Sequence, residues 1–533
     1  MTTTDLEAAL EAVGINALRI EERDFPGEHW YIAYVAPENI LVAQASAGTV
    51  EDSLNRTSGL EQKFVLAFRP ETPEPQTSLS AREGRLSDSK IDQLIQLLEA
   101  RSRTSDALPS LQYVEDPRAS LAAVGATRHQ LIYGRRGVGK TALLLEAKAK
   151  AQGKGHATVW VNAHTLRDTT PGEAVGRITE SLLSELVALG GTSNGTKFIA
   201  LREARNALQR QLSSGSDDGA IRGTVSTINA VLRPILSTGV FRAFVYVDDF
   251  YLFNAEDQPM ILDGLAGALR DCDGWLKIAS IERLTRPYEP STKRGLEVPH
   301  DASKIDLDVT LEDPKGAQTF LESVLTNYTK TIGVEKPSIL AKKEALGRLV
   351  LASGGVPRDY LNLFSSSIIA ARSRTKPHEI GKEDVAVAAG NSARSKKRDL
   401  ESDVASKQSG ELLRKLESWS GEIKSAGFAY FRVDVAAQST GDYEKLAQLV
   451  DLRFAHLVVA SISDQHNAGR RFEAYVLDLS EWSDVRLKRG LKVLDLEDGV
   501  WMARLTGKAG STQRLTGTGL RDKLRRAPAL EMD

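Results

Sequence analysis

Short apolar runs alternate along this chain with longer segments whose apolar residues recur every three or four positions. "HQLIY" (129–133) precedes a glycine-rich turn, and "TALLLEAKAKAQ" follows it. "HATVWVNAH" (156–164), "FRAFVYV" (241–247), "GWLKIASIERL" (274–284) and "SKIDLDVTL" (303–311) read as further strands. Between them, "PGEAVGRITESLLSELVAL" (171–189), "TKFIALREARNALQRQL" (196–212) and a stretch from Ile221 to Leu236 carry helical periodicity. Strands buried on both faces of a parallel sheet read as continuous apolar runs, and the helices between them supply the crossovers. The pattern predicts an α/β domain over residues 110–312.

From residue 313 to 394 the pattern is helical throughout. Gly354-Gly355 ends one helix and Pro357 opens the next at its first turn. A helical lid on the α/β core is the expectation. Residues 395–505 read differently: a charged connector, a helix ("ELLRKLESWSGEIKSAG"), a strand ("FAYFRVD"), a helix ("GDYEKLAQLVDLRFAHLV"), then a hairpin after Leu457 with a polar, glycine-containing tip. Residues 506–533 read as a flexible basic tail carrying Lys508, Arg514, Arg521, Lys523, Arg525 and Arg526. At the other end, "HWYIAYV", "NILVAQAS" and "QKFVLAF" read as three short strands of a small α+β recognition domain over residues 1–70. Residues 71–109 follow as a Pro/Ser-rich linker and the amphipathic helix "DSKIDQLIQLLEARS".

Composition narrows the classes. The net charge is −2, so any polyanion partner must meet a local patch and not a global field. A single cysteine, Cys272, excludes an intrachain disulfide and fits a reducing cytosol. The start "MTTTDLEAALEAVG" lacks the features of a signal peptide, and no apolar run is long enough to span a bilayer, so a cytoplasmic location with no membrane contact is expected. The eight histidines are scattered, with no metal-ligand spacing and no HExxH.

The glycine turn Gly134-Arg-Arg-Gly137-Val138-Gly139-Lys140-Thr141 matches the phosphate-binding pattern GxxxxGK(S/T), and it stands between a strand and a helix as that chemistry requires. Its backbone N–H groups and the helix start that follows, through Ala142, would cradle phosphates of ATP. Lys140 would reach the outer phosphates and Thr141 would bind Mg²⁺. Arg135 and Arg136, at the variable positions, read as solvated loop residues or as facing a neighbouring subunit. The run ending in Asp248-Asp249 supplies the second half of the chemistry: Asp248 to hold the Mg²⁺ shell, Asp249 to polarise the attacking water. On the next strand Ser280 and Glu282 are candidates for sensing the terminal phosphate. Arg283, Arg286 and Arg294 are candidate trans-acting fingers, although solvated loop arginine is the plainer reading of each.

Together "GRRGVGKT", "FVYVDD", "KIASIER", "LEDPKGAQTFL" and "GGVPRDYLNLF" resemble the AAA+ ATPases of the origin-recognition-complex group in their bacterial form, shading toward the STAND NTPases, over Ser110 to Arg394. The resemblance implies that Arg358 is a second sensor contacting nucleotide phosphates, that Pro357 packs near the base, and that Tyr113 of "YVEDPR" lies against adenine. Asp-Asp stands where that group commonly has Asp-Glu, which implies slow, switch-like hydrolysis. Helix, strand, helix, hairpin is the order of a winged-helix domain, which such proteins carry in this position. Arg470 and Arg471, with His466 and Asn467, would then form a wing able to touch DNA phosphates.

Two functions fit. One is a homo-oligomeric, nucleotide-dependent switch that grips double-stranded DNA, in anti-phage defence or mobile-element control. The other is a STAND-like signalling ATPase that recruits an effector protein without touching DNA.

Overall fold

The computed structural model forms two compact units, Met1–Leu79 and Ser80–Asp533. It describes residues 6–7, 9–10, 13, 15, 17–25, 28–36, 39–58, 63–70, 84–100, 113–190, 195–215, 217–237, 242–402, 407–464, 469–482, 490–505 and 512–533. Most of the Pro/Ser-rich linker, the hairpin tip with His466 and Asn467, and Lys508 lie outside the described residues.

In the first unit, β1 (Arg19–Phe25) pairs antiparallel with β2 (Glu28–Val35), and β2 pairs parallel with β3 (Lys63–Pro70). A parallel pair needs a crossover, and α1 (Ile40–Ser58) supplies it. This corrects the reading of "NILVAQAS" as a strand. Ala43 and Val50 are buried, with Ala47 packed against the same core, and a spacing of four and three is helical. Strand β1 escaped notice because it is mostly charged; Glu21 pairs with Arg23 and accepts from the Tyr34 hydroxyl across the sheet.

The second unit opens with α2 (Ser89–Ala100) and α3 (Ser120–Val124). The core alternates β4 (His129–Tyr133), α4 (Lys140–Gln152), β5 (Ala157–Asn162), α5 (Pro171–Leu189), α6 (Thr196–Ser213), α7 (Asp218–Leu236), β6 (Ala243–Asp248), α8 (Gln258–Ala268) and β7 (Gly274–Ser280). A minimal hairpin, β8 (Tyr288–Glu289) with β9 (Arg294–Gly295), precedes the last core strand β10 (Ala302–Asp306). The five strands form one parallel sheet in the order β10-β4-β7-β6-β5. Along β6, Val245 and Val247 pack with the α5, α7 and α8 residues Leu182, Leu232 and Leu262, while Phe244 and Tyr246 pack with Leu143 and Ala147 of α4. Burial on both faces explains the unbroken apolar run. The sheet order sets the carboxyl ends of β4, β6 and β7 side by side, where ligands gather in open α/β sheets.

The lid follows as α9 (Pro314–Lys330), α10 (Lys343–Ser353), α11 (Pro357–Ala371) and α12 (Lys382–Ser402). Helix α2 docks on this lid: Arg372 donates to the Leu86 carbonyl at 2.8 Å and pairs with Asp92 at 2.6 Å.

The C-terminal third contains α13 (Lys407–Ser425), β11 (Tyr430–Asp434), α14 (Gly441–Asp451) and a hairpin of β12 (Ala455–Ser463) and β13 (Arg471–Leu477). Helix, strand, helix and hairpin therefore occur in the expected order. A second hairpin, β14 (Lys492–Glu497) with β15 (Val500–Leu505), extended by β16 (Gln513–Arg514), lies on the lid. There Gly347 of α10 meets the Leu496 backbone so closely that a Cβ would fall 2.1 Å from its carbonyl oxygen. The buried Arg348 pairs with Asp495 at 3.0 Å. Among its described residues, the segment read as a flexible tail holds regular structure: α15 (Gly517–Arg525) buries Leu520 and Leu524, and β17 (Ala529–Leu530) adds parallel to β11. Leucines four apart make one apolar stripe, which the abundance of Gly, Thr and Arg obscured in the sequence.

Candidate functional site

The turn after β4 is built by glycine conformations. Gly137 and Gly139 have φ of +84° and +108°, in a region that side chains disfavour, and Gly139 caps α4. Gly137 is also a contact point. A Cβ there would stand 2.8 Å from Cβ of Arg358 and 3.2 Å from Val356, and the Arg358 backbone N–H donates to the Gly137 carbonyl at 3.3 Å. The start of α11, with Pro357 in its first turn, therefore sits directly on the phosphate-binding turn, and Arg358 stands beside it. Val138 is buried under the turn, and Ala142 lies half-buried in the first turn of α4.

The Lys140 ammonium is buried and donates to the carbonyls of Gly134 at 2.7 Å and Arg135 at 3.1 Å. Burial lowers its pKa, opposed by Asp249, Asp248 and Asp308 and reinforced by Arg358. Thr141 Oγ1 donates to Asp248 Oδ2 at 2.7 Å. Burial, then the neighbouring Asp249 charge, push the Asp248 carboxyl up to about 6 against the pull of Thr141 and Lys140. A buried carboxylate beside a hydroxyl, short of positive charge, fits a hard oxygen-liganded cation such as Mg²⁺. A buried ammonium held only by loop carbonyls, at a helix start, fits phosphate. Asp249 follows in the left-handed region (φ +53°), and its N–H donates to Asp248 Oδ1 at 3.0 Å. That bond and the turn fix the backbone of Asp249, whose charge acts on both Lys140 and Asp248.

Ser280 is fully buried at the end of β7, in register with Tyr133, and its hydroxyl pairs with that of Thr285 at 2.6 Å. Glu282 is exposed and pairs with Lys304. The structure thus brings Ser280 to the strand that leads into the turn, while Glu282 engages the edge strand. Tyr113 packs against the α4 side of the core, with Leu121, Leu144 and Val356. Among the loop arginines, Arg286 pairs with Glu289, Arg294 is exposed on β9, and Arg283 pairs with Asp451 of α14 at 3.0 Å.

The largest departure from the sequence reading is Arg135. It is buried, not solvated. It bonds Asp308 at 3.1 Å, the Val309 carbonyl at 3.2 Å and the Gly354 carbonyl at 3.0 Å. One side chain of the phosphate-binding turn thus clamps the edge of the sheet to the lid. Arg136 is exposed, over the Tyr251 ring, and its carbonyl accepts a 3.2 Å bond from Arg453 in the turn after α14. Arg453 also pairs with the buried Asp359, the residue after Arg358. Beside it, Gly354 and Gly355 have φ of +57° and +81°. A Cβ on Gly354 would lie 2.4 Å from the buried His456 ring, which bonds Asp478 at 3.0 Å. Asp308, Arg453 and His456 had no motif to mark them, and Arg135 and Asp359 lie within motifs that do not specify their identity; only the double glycine hinted that something approached the backbone there.

No protein-family model and no curated protein matches the chain. Among solved structures it is similar to the Thermotoga maritima RuvB Holliday junction branch migration motor. The two are 12% identical, with 56% of this chain and 67% of that chain covered and a TM-score of 0.27. It is also similar to a DNA replication initiation factor, 13% identical over 58% of this chain and 73% of that one, with a TM-score of 0.27. The glycine turn, the acidic strand end and the all-parallel five-stranded sheet define the class from the coordinates themselves: an α/β fold of the P-loop type, followed by a helical region and further β-containing segments. Among the described residues no helix is long and apolar enough to cross a membrane.

Proposed function

We propose that the protein is an ATP-binding, slowly hydrolysing AAA+ switch of the origin-recognition type. In this reading, occupancy of the phosphate-binding turn sets the position of a C-terminal winged-helix module that binds double-stranded DNA. One observation carries the proposal. Arg135, Arg358 and Arg453 bond the turn to the lid and to the C-terminal third through Gly354, Gly137, Arg136 and Asp359. Any change that phosphates impose on the turn must be met by those bonds. Lys140 would exchange loop carbonyls for phosphate oxygens, Thr141 and Asp248 would hold Mg²⁺, and Asp249 would accept the proton of the attacking water. Arg358 would add charge-assisted bonds to the phosphates. Mg²⁺, when bound, supplies charge neutralisation at the transferred phosphoryl group. Ser280 would sense the terminal phosphate from the end of β7, Tyr113 would flank the base, and copies of the chain would assemble on the nucleotide-bound form.

One observation favours the signalling alternative. Helix α14, which would be the groove-reading helix of a winged-helix module, carries Asp442, Glu444 and Asp451 against Lys445. The discriminating experiment is duplex-DNA binding by the full chain, measured by fluorescence anisotropy with ATP, with ADP and without nucleotide. Nucleotide-dependent binding supports the switch. Absence of binding in all three states, with ATP-dependent assembly intact, supports an effector-recruiting ATPase.

A further inference from the structure

The C-terminal third gathers opposite charges at opposite places. Helix α14 is acidic and turned inward: Asp442 pairs with Lys415 and Lys445, and Asp451 with Arg283 of the core. The far end of the four-stranded sheet is basic. There Arg525 of α15 donates to the carbonyl of Ser463 at 3.3 Å, and Ser463 is the register partner of Arg471 on β13. Arg521 lies one turn before Arg525 on the same flank of α15, which that bond turns toward the β12–β13 hairpin. Arg470 and Arg432 both stand over the Phe472 ring, at 5.0 and 4.2 Å. Anions are interleaved here: Asp434 is bonded by Arg470 and Asp522 by Arg525, Asp464 bonds the Arg470 carbonyl through its backbone N–H at 3.0 Å, and Glu531 is exposed after β17; Arg521, Arg526 and Arg471 add exposed cations to the same end.

We infer that α15 and β13 together form a phosphate-backbone-binding surface for duplex DNA, and that α14 does not enter the groove. The inference rests on the DNA-binding reading above and names its site. Three features favour duplex DNA over a protein partner. The cations are mostly guanidiniums, which suit bidentate phosphate contacts. They stand on a helix and a strand fixed by buried Leu520, Leu524 and Phe472, so little order must be imposed on binding. Among the described residues, the exposed large hydrophobic side chains all lie before residue 390, so this surface lacks the apolar anchors that dominate protein interfaces. Arg470 and Arg471 then belong to the surface as its strand edge, and the segment read as a tail becomes its principal element.

The test uses the full chain with ATP and Mg²⁺ and a fluorescein-labelled duplex of mixed sequence, titrated across a salt series. Arg521 and Arg526 are both exposed, so Arg521→Glu with Arg526→Glu leaves the Leu520/Leu524 anchor in place. Each lost phosphate contact removes about 0.9 from the log–log salt slope, so the double variant is expected to flatten the slope by about 2 and to weaken binding by roughly 10- to 100-fold. ATP turnover and melting temperature should be unchanged. If charge reversal lowers the melting temperature, the alanine pair replaces it, with the same expected slope change. Glu444→Lys on α14 is expected to leave affinity within about twofold at moderate salt, because that helix stays out of the groove. Parent-like affinity and slope in the α15 variant, with binding lost in Arg470→Glu/Arg471→Glu, would overturn the α15 surface and leave the DNA reading standing. A strong gain from Glu444→Lys would place α14 at the groove and overturn the inference. A parent chain that binds no duplex in any nucleotide state would overturn the DNA reading and the surface with it.

Discussion

Buried carboxylates in the nucleotide end and in the C-terminal third behave in opposite ways. At the nucleotide end, burial and Asp249 hold Asp248 well above the usual aspartate value, and its hydrogen-bond donors do not compensate. In the C-terminal third, burial also opposes the charge on Asp442 and Asp478. There the bonds from Lys415 and Lys445, and from His456, outweigh it and pull both below the usual value. Partners built into the fold make a carboxylate structural; a buried carboxylate whose partners do not offset its burial is a candidate site. Asp442 joins α13 to α14 through Lys415, and Asp248 is the proposed cation ligand.

The comparison can be broken by substitution. The largest effect is expected at Asp249. Asparagine cannot accept the proton of the attacking water, so Asp249→Asn should lower turnover by about 10²- to 10⁴-fold with nucleotide affinity retained. A steady-state phosphate-release assay beside a binding titration reads both, and unaltered turnover would remove Asp249 from this role. Next, Lys140→Ala should weaken binding of a fluorescent ATP analogue by roughly 100-fold, since charge-assisted bonds are worth about 1.5–3 kcal/mol each. Affinity within threefold of the parent would refute a phosphate contact by Lys140.

A smaller effect separates the two kinds of carboxylate by pH. Asp248 has a folded pKa of about 6 against 3.8 for an ordinary aspartate. Its charge therefore opposes the nucleotide-free fold above pH 6, and acidification through 6 relieves that opposition. Mg²⁺-dependent nucleotide affinity should fall over the same window, because the cation needs the anion. Asp442 and Asp478, with lowered values, contribute stability that is present at neutral pH and lost only as pH falls below the usual aspartate range. Asp248→Asn should then stabilise the nucleotide-free protein by at most about 3 kcal/mol, raising its melting temperature, while abolishing Mg²⁺ dependence. Asp442→Asn should lower the melting temperature. Calorimetry on both variants showing the same sign would dissolve the distinction.

The sequence disclosed the parts of this molecule that obey a spacing rule. The P-loop, the acidic strand end and the parallel core were legible because backbone geometry and double-sided burial restrict residue type at each position. Arg135 was misread because its identity satisfies no motif; its burial follows from Asp308 and Gly354, both more than 170 positions away in sequence. "NILVAQAS" was misread because a short apolar run does not distinguish strand from helix, and only the parallel pairing of β2 with β3 decides it. The C-terminal segment looked solvated because its buried residues, Leu515, Leu520, Leu524, Ala527 and Leu530, are scattered singly among Gly, Thr, Lys and Arg. Long-range partners, not local pattern, settled each case.

The central claim is that the phosphate-binding turn and the C-terminal module move as one through Arg453. Removing Arg453 alone would leave the buried Asp359 charge with the more distant Lys396, at 3.6 Å, as its ion-pair partner, so the informative variant is Arg453→Met with Asp359→Asn, which removes both members of the closer pair. Amide hydrogen exchange over residues 441–463 should be compared with and without ATP and Mg²⁺. In the parent, nucleotide is expected to change protection across this segment. In the double variant that change should vanish while ATP affinity stays within about threefold, since neither residue contacts the phosphates in this account. An identical nucleotide-dependent change in parent and variant would contradict the claim.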